Sequence, residues 1–292
     1  MDGVINVFKN PKMTSFDVVR IIKKITNTKK VGHTGTLDPE ATGVLPICIG
    51  KGTKIIDYIM NSNKVYEVEF KLGVITTTYD LEGEVIKESD SSNLSNDEIL
   101  NVVNSFICSY SQVPPMYSAL KKNGVRLYEL ARKGIEVERE GRPVTIYNIE
   151  DIEIKNPYIK MKVTCSKGTY IRSLCYDIGE KLNVGACMTK LKRSETSIFK
   201  EEDSININDL NQENIEKYII SLEEALKFYD KLIISNKFSK LLINGVKVFD
   251  KRFTSEKVEI NKLYRVYDED GLFIGLGKMD DKGFKIEKLL IN

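Results

Sequence analysis

Residues 32–43 form a segment rich in glycine and threonine that contains the side chains best suited to chemistry. It holds three glycines, three threonines and His33, the only histidine of the chain. Glycine reaches backbone angles that other residues avoid, so this composition predicts an irregular loop that can approach a ligand closely. Pro39 disfavours helical geometry at Asp38, and an extended Asp38 could present its carboxylate to a ligand. The alternative is an ordinary Asp-Pro turn, in which the carboxylate bonds to its own backbone.

His33 lies five residues before Asp38, and the two could belong to a nucleophile–histidine–acid arrangement. A hydrolase of that kind needs an activated serine or cysteine, commonly on a Gly-x-Ser-x-Gly turn. The chain contains no such turn. We therefore interpret His33 as a hydrogen-bonding residue of the loop rather than as a catalytic base.

The length and composition indicate one large domain and one small domain. Of the 292 residues, 41% are hydrophobic and 29% are charged, which is enough for a substantial core. No apolar run approaches 18 residues, and the first residues lack a secretory signal, so neither a membrane span nor secretion is expected. The five cysteines are widely spaced and form no Cys-x-x-Cys pair. Zinc and disulfides are therefore disfavoured, and a reducing, cytoplasmic location is predicted.

The charge distribution is more informative than the net charge of +2. Residues 160–200 contain nine basic and three acidic side chains, whereas residues 201–230 contain two basic and nine acidic ones. Residues 231–292 return to thirteen basic against nine acidic side chains. This pattern predicts two basic surfaces joined by an acidic connector, although a charged run can also be only a solvated face.

Hydrophobic periodicity predicts strands and helices that alternate without a strict βα repeat, which favours an α+β fold with a mixed central sheet. Beyond residue 231, Asn-Gly and Asp-Gly pairs indicate a small β-rich domain. A basic excursion is expected at about 109–142 and the acidic connector at about 201–230. The predicted strands are 3–8, 44–49, 64–74 (with a break in phase at Tyr66-Glu67), 143–154, 159–165 and 186–197. The predicted helices are 14–25, 53–60, 95–107, 126–132, 169–181 and 221–229.

Five segments in order, residues 32–54, 64–85, 114–134, 165–182 and 185–197, closely resemble the motifs of the bacterial TruB-type tRNA pseudouridine synthases. These enzymes isomerise the T-loop uridine at position 55 of tRNA. The resemblance implies a pseudouridine synthase catalytic domain over 1–229, with the excursion as an inserted basic loop region. It also implies a PUA-like RNA-binding domain over 231–292, by position and pattern.

The resemblance assigns the chemistry to Asp38, Tyr66 and Arg172. Pseudouridine formation breaks the glycosidic C–N bond and rejoins the same base through carbon, so no cofactor and no metal is expected. An ionised carboxylate can attack the sugar or remove a sugar proton, and Asp38 matches the essential aspartate. Arg172 matches the guanidinium that pairs with it. Tyr66 matches the tyrosine that stacks on the flipped base and is discussed as a proton acceptor; its alternative role is cross-strand packing.

The resemblance also implies substrate-binding roles for His33, Tyr170, Leu191 and Lys9. His33 would contact the RNA, while Tyr170 and Leu191 would line the pocket of the flipped base. The segment that begins at Lys9 departs from the pattern of the family. Where the family has Lys-Pro-x-Gly-x-Thr-Ser, this chain reads Lys-Asn-Pro-Lys-Met-Thr-Ser, so Lys12 replaces a glycine.

The expected partner is tRNA, through its T-arm stem-loop, with no membrane, no obligatory protein partner and a monomeric enzyme. Two other functions fit the same motifs. The chain could be an RNA-binding or RNA-folding protein without catalysis, which the intact Asp38, Tyr66 and Arg172 disfavour. It could also be an RNA-guided synthase inside a ribonucleoprotein. The basic excursion at 109–142 resembles that of the stand-alone bacterial enzymes, which disfavours this alternative.

Overall fold

The structure is a computed structural model that describes residues 1–291. The α-helices are α1 (Ser15–Thr26), α2 (Ile56–Met60), α3 (Asn96–Asn104), α4 (Leu127–Ala131), α5 (Ile171–Lys181), α6 (Leu222–Ala225) and α7 (Asn236–Ile243). The strands of the first 200 residues are β1 (Gly3–Lys9), β2 (Val31–His33), β3 (Thr42–Ile49), β4 (Lys64–Leu72), β5 (Val74–Thr76), β6 (Val85–Glu88), β7 (Ser109–Gln112), β8 (Lys121–Lys122), β9 (Val125–Arg126), β10 (Arg142–Lys155), β11 (Tyr158–Cys165), β12 (Ala186–Thr196) and β13 (Phe199–Lys200). The remaining strands are β14 (Ile205–Asn206), β15 (Ile219–Ile220), β16 (Asp230–Ile234), β17 (Leu263–Asp268), β18 (Phe273–Asp280) and β19 (Gly283–Leu289).

A large mixed sheet forms the centre of the molecule, in the order β14-β1-β3-β12-β4-β11-β10-β7. Most neighbours are antiparallel, but β12 runs parallel to β3 and β14 runs parallel to β1. The predicted α+β class with a mixed central sheet is therefore confirmed. Within residues 1–291, no helix combines the length and the hydropathy that crossing a membrane requires.

The central strand β4 alternates without a break. Tyr66, Val68, Phe70 and Leu72 all lie on its buried face, so the break in phase predicted at Tyr66-Glu67 is wrong. The irregularities lie instead in β12, whose register against β4 shifts after Met188 and again after Arg193. Bulges of this kind absorb an extra residue and bend only the strand that carries them. Tyr66 therefore lies on the face against which the helices pack.

Helix α1 begins where its sequence predicts. Thr14 and Asp17 form a capping box at its start, and Val18, Val19 and Ile22 bury one face. Because both side chains satisfy otherwise unpaired backbone groups, the box defines the N-terminus. Helix α5, by contrast, begins two residues after the predicted start, since Tyr170 is still extended at φ −95° and ψ 108°.

The basic excursion is shorter than expected. Residues 109–112 form β7, which pairs with the first residues of β10 and extends the large sheet. The excursion therefore spans 113–141 and contains the β8–β9 hairpin and α4. The helix predicted at 53–60 is a 3-10 turn, Gly50–Ile55, followed by the short α2. Local sequence did not indicate β7, because its partners in β10 lie at least 30 residues further along the chain.

The C-terminal part is β-rich, as predicted, with the strand order β16-β17-β18-β19 and α7 packed on the sheet. It has a core of its own that includes Leu232, Leu242 and Phe284. A second cluster joins this part to the rest of the chain, because Leu276 and Leu290 belong to the same buried cluster as residues of β1, β3 and α2. The two parts therefore share buried apolar surface.

Candidate active site

Asp38 and Arg172 form a bidentate ion pair. Arg172 Nε lies 3.0 Å from Asp38 Oδ2, and Arg172 Nη2 donates to Asp38 Oδ1 at 3.1 Å. Two parallel charge-assisted bonds hold a carboxylate in one orientation more firmly than a single contact. The Asp38 side chain is 33% exposed, whereas that of Arg172 is 7% exposed. The carboxylate thus faces the cleft, while the guanidinium supports it from below.

All three guanidinium nitrogens of Arg172 have partners. Besides Asp38, the guanidinium donates to the carbonyls of Thr78 at 3.1 Å and Tyr117 at 2.9 Å. Its Nη1 also lies 3.3 Å from Asp80 Oδ2. A guanidinium carries five N–H donors in a rigid fork, so these contacts leave it no alternative orientation. Asp80 therefore belongs to the site, although sequence analysis did not single it out; it lies inside the matched segment 64–85.

The segment that presents Asp80 has an unusual backbone. Tyr79, between the Thr78 carbonyl and the Asp80 carboxylate, has a φ of 63°. Its ring stacks on Tyr176 of α5 with the centroids 4.1 Å apart. Non-glycine residues in this region of φ are strained and need surrounding support. The stack supplies such support one helical turn from Arg172.

The loop that carries Asp38 is held from three sides. Ser15 Oγ accepts from the backbone N–H of Leu37 at 2.8 Å, which ties the loop to the start of α1. Arg193, 1% exposed, donates to the carbonyl of Gly35 at 3.1 Å and to that of Val44 at 2.8 Å. Lys9 Nζ donates to the carbonyl of Pro39 at 3.0 Å. Asp38 is thus presented by a rigid loop rather than by a mobile one.

The structure places Lys9 beneath the cleft rather than on its surface. Its side chain is fully buried, and its ammonium also donates to the carbonyls of Asn10 at 2.9 Å and Met13 at 2.8 Å. Burial lowers the pKa of Lys9 to about 8. With all three N–H donors engaged and no access to the cleft, Lys9 positions the loop and has no free donor for a substrate.

Tyr66, Tyr170, Leu191 and His33 all line one cleft together with Asp38 and Arg172. The cleft has a volume of about 1770 Å³, larger than the ~300–1,000 Å³ typical of small-molecule pockets. It therefore has the dimensions of a site for part of a macromolecule. Six of the seven side chains that the sequence assigned to the site meet here, and Lys9 lies beneath it.

Burial and the charge of Arg193 act on the pKa values of two cleft residues, Tyr66 and His33. Burial raises the pKa of Tyr66, so its hydroxyl stays protonated at neutral pH. Burial and the charge of Arg193 lower the pKa of His33, whose Nδ1 accepts from the Gly35 backbone N–H at 3.3 Å. His33 is therefore a neutral imidazole at neutral pH. Arg193 lies in a matched segment, but only the fold reveals that it is buried between these residues.

A buried amide holds the start of α5. Gln112 Oε1 accepts from the Tyr170 backbone N–H at 2.8 Å, and Gln112 Nε2 donates to the Tyr170 carbonyl at 3.2 Å. The same Nε2 donates to the Tyr110 hydroxyl at 2.7 Å, which donates to Asp177 Oδ2 at 3.3 Å. Burial raises the pKa of Asp177 to about 6. This network fixes Tyr170 two residues before Arg172, and no sequence signal indicated it.

No group of three or more His, Cys, Asp or Glu side chains within residues 1–291 is arranged to hold a metal ion. Where Asp38, Asp80 and Arg172 meet, two carboxylates face one guanidinium. The arrangement offers a fixed, partly exposed carboxylate beside an aromatic wall and an apolar wall. Such a site can act as a nucleophile or as a base on a substrate that enters the cleft.

Three family models cover most of the chain. Residues 23–171 match the one described as TruB family pseudouridylate synthase (N terminal domain). Residues 172–230 match the tRNA pseudouridylate synthase B C-terminal domain. Residues 232–286 match the C-terminal domain described as Pseudouridine synthase II TruB.

Similar proteins of known name extend over the same length. The tRNA pseudouridine synthase B of Clostridium perfringens (strain 13 / Type A) is 65% identical over 292 residues, covering 100% of this chain and 99% of that protein. The protein of the same name from Clostridium tetani is 60% identical over 291 residues, covering 100% of both chains.

Chains of two solved structures are similar to this chain in fold. A chain of a Cbf5-Nop10-Gar1 complex has a TM-score of 0.76 and 28% identity, with 99% of this chain and 85% of that chain covered. A chain of an H/ACA RNP bound to a substrate RNA containing 2'-deoxyuridine has a TM-score of 0.75 and 26% identity over the same shares.

Proposed function

Because the chain belongs to the TruB family of pseudouridylate synthases, and so isomerises uridine to pseudouridine in tRNA, we propose that its target is the T-loop uridine at position 55. The observation that carries the proposal is the bidentate pair of Asp38 and Arg172 at the floor of the cleft. It supplies the one group that the reaction requires, an oriented carboxylate with access to the substrate.

The reaction conserves all atoms of the nucleotide. The bond between C1′ of the ribose and N1 of uracil breaks, the base turns, and a bond forms between C1′ and C5. The proton on C5 is lost and N1 gains one, so neither an oxidant nor a group donor is consumed. Asp38 either attacks C1′ and later leaves, or removes the proton at C2′ and later returns it.

Catalysis on C1′ requires that the target nucleotide leave the stacked loop and enter the cleft. Tyr66 and Tyr170 offer aromatic faces to the flipped base, and Leu191 offers an apolar wall. His33, neutral and on the rim, binds the RNA beside the target. Tyr66 acts through its ring, since burial raises the pKa of its hydroxyl and keeps it protonated, and a protonated hydroxyl is not a base for the C5 proton.

The domain organisation follows from the same proposal. Residues 1–229 form the catalytic domain, and 231–292 form a PUA-like domain that adds RNA affinity away from the flipped base. The enzyme acts as a monomer in the cytoplasm, on the T-arm stem-loop and without a guide RNA or protein partner. The rival function is RNA-guided modification inside a ribonucleoprotein, and the similarity of the fold to Cbf5 chains is the observation that favours it.

The test is incubation of the purified chain alone with an unmodified T-arm stem-loop, followed by mapping of pseudouridine at single-nucleotide resolution. We expect modification at position 55 without added RNA or protein. The control is Asp38→Asn, which keeps the shape of the side chain but loses its charge. It should lower the single-turnover rate at least about a thousandfold while RNA binding survives. Product only after a guide RNA is added would contradict the proposal, and so would an active Asp38→Asn enzyme.

A further inference from the structure

Helix α1 and the turn that follows it carry a concentration of positive charge. Residues 12–30 contain six basic side chains and a single acid, Asp17. We call the basic residues together the α1 basic surface: Lys12, Arg20, Lys23, Lys24, Lys29 and Lys30. The α-helix is about 18 Å long at 1.5 Å per residue, so the surface is long enough to follow several nucleotides.

The charges of the α1 basic surface are largely unneutralised. Only Arg20 is paired with an acid, Asp17, and for residues 1–291 no other member of the surface lies within 4 Å of a carboxylate. The lysines on the exposed face of the large sheet are different. Lys160 and Lys162 are paired with Glu69 at 3.9 Å and Glu150 at 3.1 Å. An anion therefore meets more available positive charge at α1 than on the sheet.

An exposed aromatic ring joins the α1 basic surface to the cleft. Phe16 is 58% exposed and lines the cleft. The guanidinium carbon of Arg20 and the ammonium of Lys23 lie 5.7 and 6.0 Å from its ring centroid. An aromatic face flanked by cations is the combination that binds unpaired nucleotides. The neighbouring Ser15 bonds to the loop that carries Asp38, so the surface adjoins the catalytic group.

Lys12 provides an independent indication. It is exposed and has a φ of 63°, where a side chain costs about 1–2 kcal/mol relative to glycine. Residues in such conformations persist where the surrounding structure holds them, and they are frequent at binding and active sites. A lysine that replaces glycine at such a position adds one more positive charge beside the cleft.

We propose that the α1 basic surface binds the sugar–phosphate backbone of the tRNA next to the target nucleotide, and that Phe16 stacks on an unpaired base at the rim. This inference rests on the proposed function, because it takes the RNA in the cleft to be the substrate. Unpaired lysines bind phosphates by releasing counterions, so they make affinity dependent on salt. The alternative is that α1 is only a solvated face.

The experiment compares two double variants that lose the same charge. Lys23→Gln/Lys24→Gln removes two members of the α1 basic surface, and Lys160→Gln/Lys162→Gln removes two paired lysines of the sheet. Dissociation constants for full-length unmodified tRNA are measured across a salt series. The α1 variant should bind about tenfold more weakly, with a slope of log K against log salt that is shallower by about 1–2. The sheet variant should stay within about twofold of the wild type. Equal losses in the two variants, or none, would overturn the proposal.

The stacking role of Phe16 is measured separately. Phe16→Leu keeps apolar bulk but no flat face and should weaken tRNA binding at least about fivefold, whereas Phe16→Tyr should restore it. Equal affinities of the two variants for tRNA would show that Phe16 does not stack on a base. Pseudouridine formation by the wild type in the same preparation tests the proposed function separately from the proposed contact between α1 and the tRNA. A wild type without product would contradict the proposed function. An active wild type whose α1 variants bind tRNA with unchanged affinity would overturn only the proposal that the α1 basic surface binds RNA.

Discussion

The side chain of Arg172 is held by partners on all three of its nitrogens. Its three guanidinium nitrogens contact two carboxylates and two carbonyls, which come from three separate segments of the chain. A buried charge that loses its partners is costly, whereas one with full partners is rigid. Arg172 is therefore a fixed support for Asp38, and Asp80 is the counter-charge that holds the support in place.

Replacement of Arg172 by lysine should lower turnover about 100-fold or more. Lysine keeps the positive charge, but it cannot bond Asp38 at two points while it also reaches Thr78 and Tyr117. Single-turnover rates on a T-arm stem-loop measure the effect. Arg252→Lys is the matched control, because Arg252 is an exposed arginine paired with Asp250 in the C-terminal part. Turnover close to that of the wild type in Arg172→Lys would show that the bidentate geometry is not needed.

At the scale of single elements, the turn before α1 and the helix α5 each contain one residue whose conformation or environment lowers the stability of the fold. Lys12 adopts a backbone conformation that favours glycine. Asp177, on α5, is half-buried beside Tyr110, and this partial burial raises its pKa. In each element the sequence follows the ordinary helix rules elsewhere, so the cost is local and can be measured by one substitution.

Lys12→Gly should stabilise the protein by up to about 1 kcal/mol, because glycine adopts a φ of 63° without the steric penalty. The gain is smaller than the penalty, since glycine also loses more freedom on folding. Lys12→Gln, which removes the charge but keeps the Cβ, is the control and should leave stability unchanged. Urea unfolding of both variants gives the free energies. Equal stabilities would mean that the turn relaxes around the lysine.

Asp177→Asn should flatten the dependence of stability on pH between about 4 and 6. The pKa of Asp177 is about 6 in the folded protein, against about 3.9 in unfolded chains. The folded state therefore binds more protons in this window, so the contribution of Asp177 to stability is lost as pH rises from about 4 to about 6. Asparagine cannot ionise, and the variant should gain a few degrees in Tm over the wild type above pH 6. The control is Asp281→Asn, at an exposed position, which should keep the pH profile of the wild type. If Asp177→Asn also keeps the stability profile of the wild type, Asp177 is freely solvated.

At the scale of the whole molecule, the C-terminal part is both a separate sheet and a structural support for the rest. Its strands have a core of their own, but Leu276 and Leu290 pack into the cluster that also contains Val4 and Ile55. Burial of apolar area stabilises both partners. Loss of this contact should therefore be felt in β1, which pairs with β3, the strand that follows the loop of Asp38.

Leu276→Ala should destabilise the whole chain by about 2–5 kcal/mol, as large-to-small substitutions in a core do. Leu242→Ala is its match, because Leu242 belongs only to the core of the C-terminal part. Hydrogen exchange distinguishes the two: Leu276→Ala should speed exchange in β1 and β3 as well as in β18, whereas Leu242→Ala should affect only the C-terminal strands. Unchanged protection of β1 in Leu276→Ala would mean that the two parts fold independently.

The sequence by itself determined the features that depend on near neighbours and on its motifs. The predicted bounds of α1 and the predicted alternation of most of β4 agree with the structure, because hydrogen bonds and periodicity act over a few residues. The resemblance indicated the family and Asp38, Tyr66 and Arg172 as its site, and the fold brings these three to one cleft.

Only the tertiary structure decided what depends on distant segments. Asp80 reaches Arg172, and Gln112 reaches Tyr170, across 92 and 58 positions of the chain. Lys9 is buried and Lys24 exposed, although the two side chains are chemically identical. Burial, pairing and the resulting pKa shifts are properties of what packs around a residue, and local sequence does not contain that information.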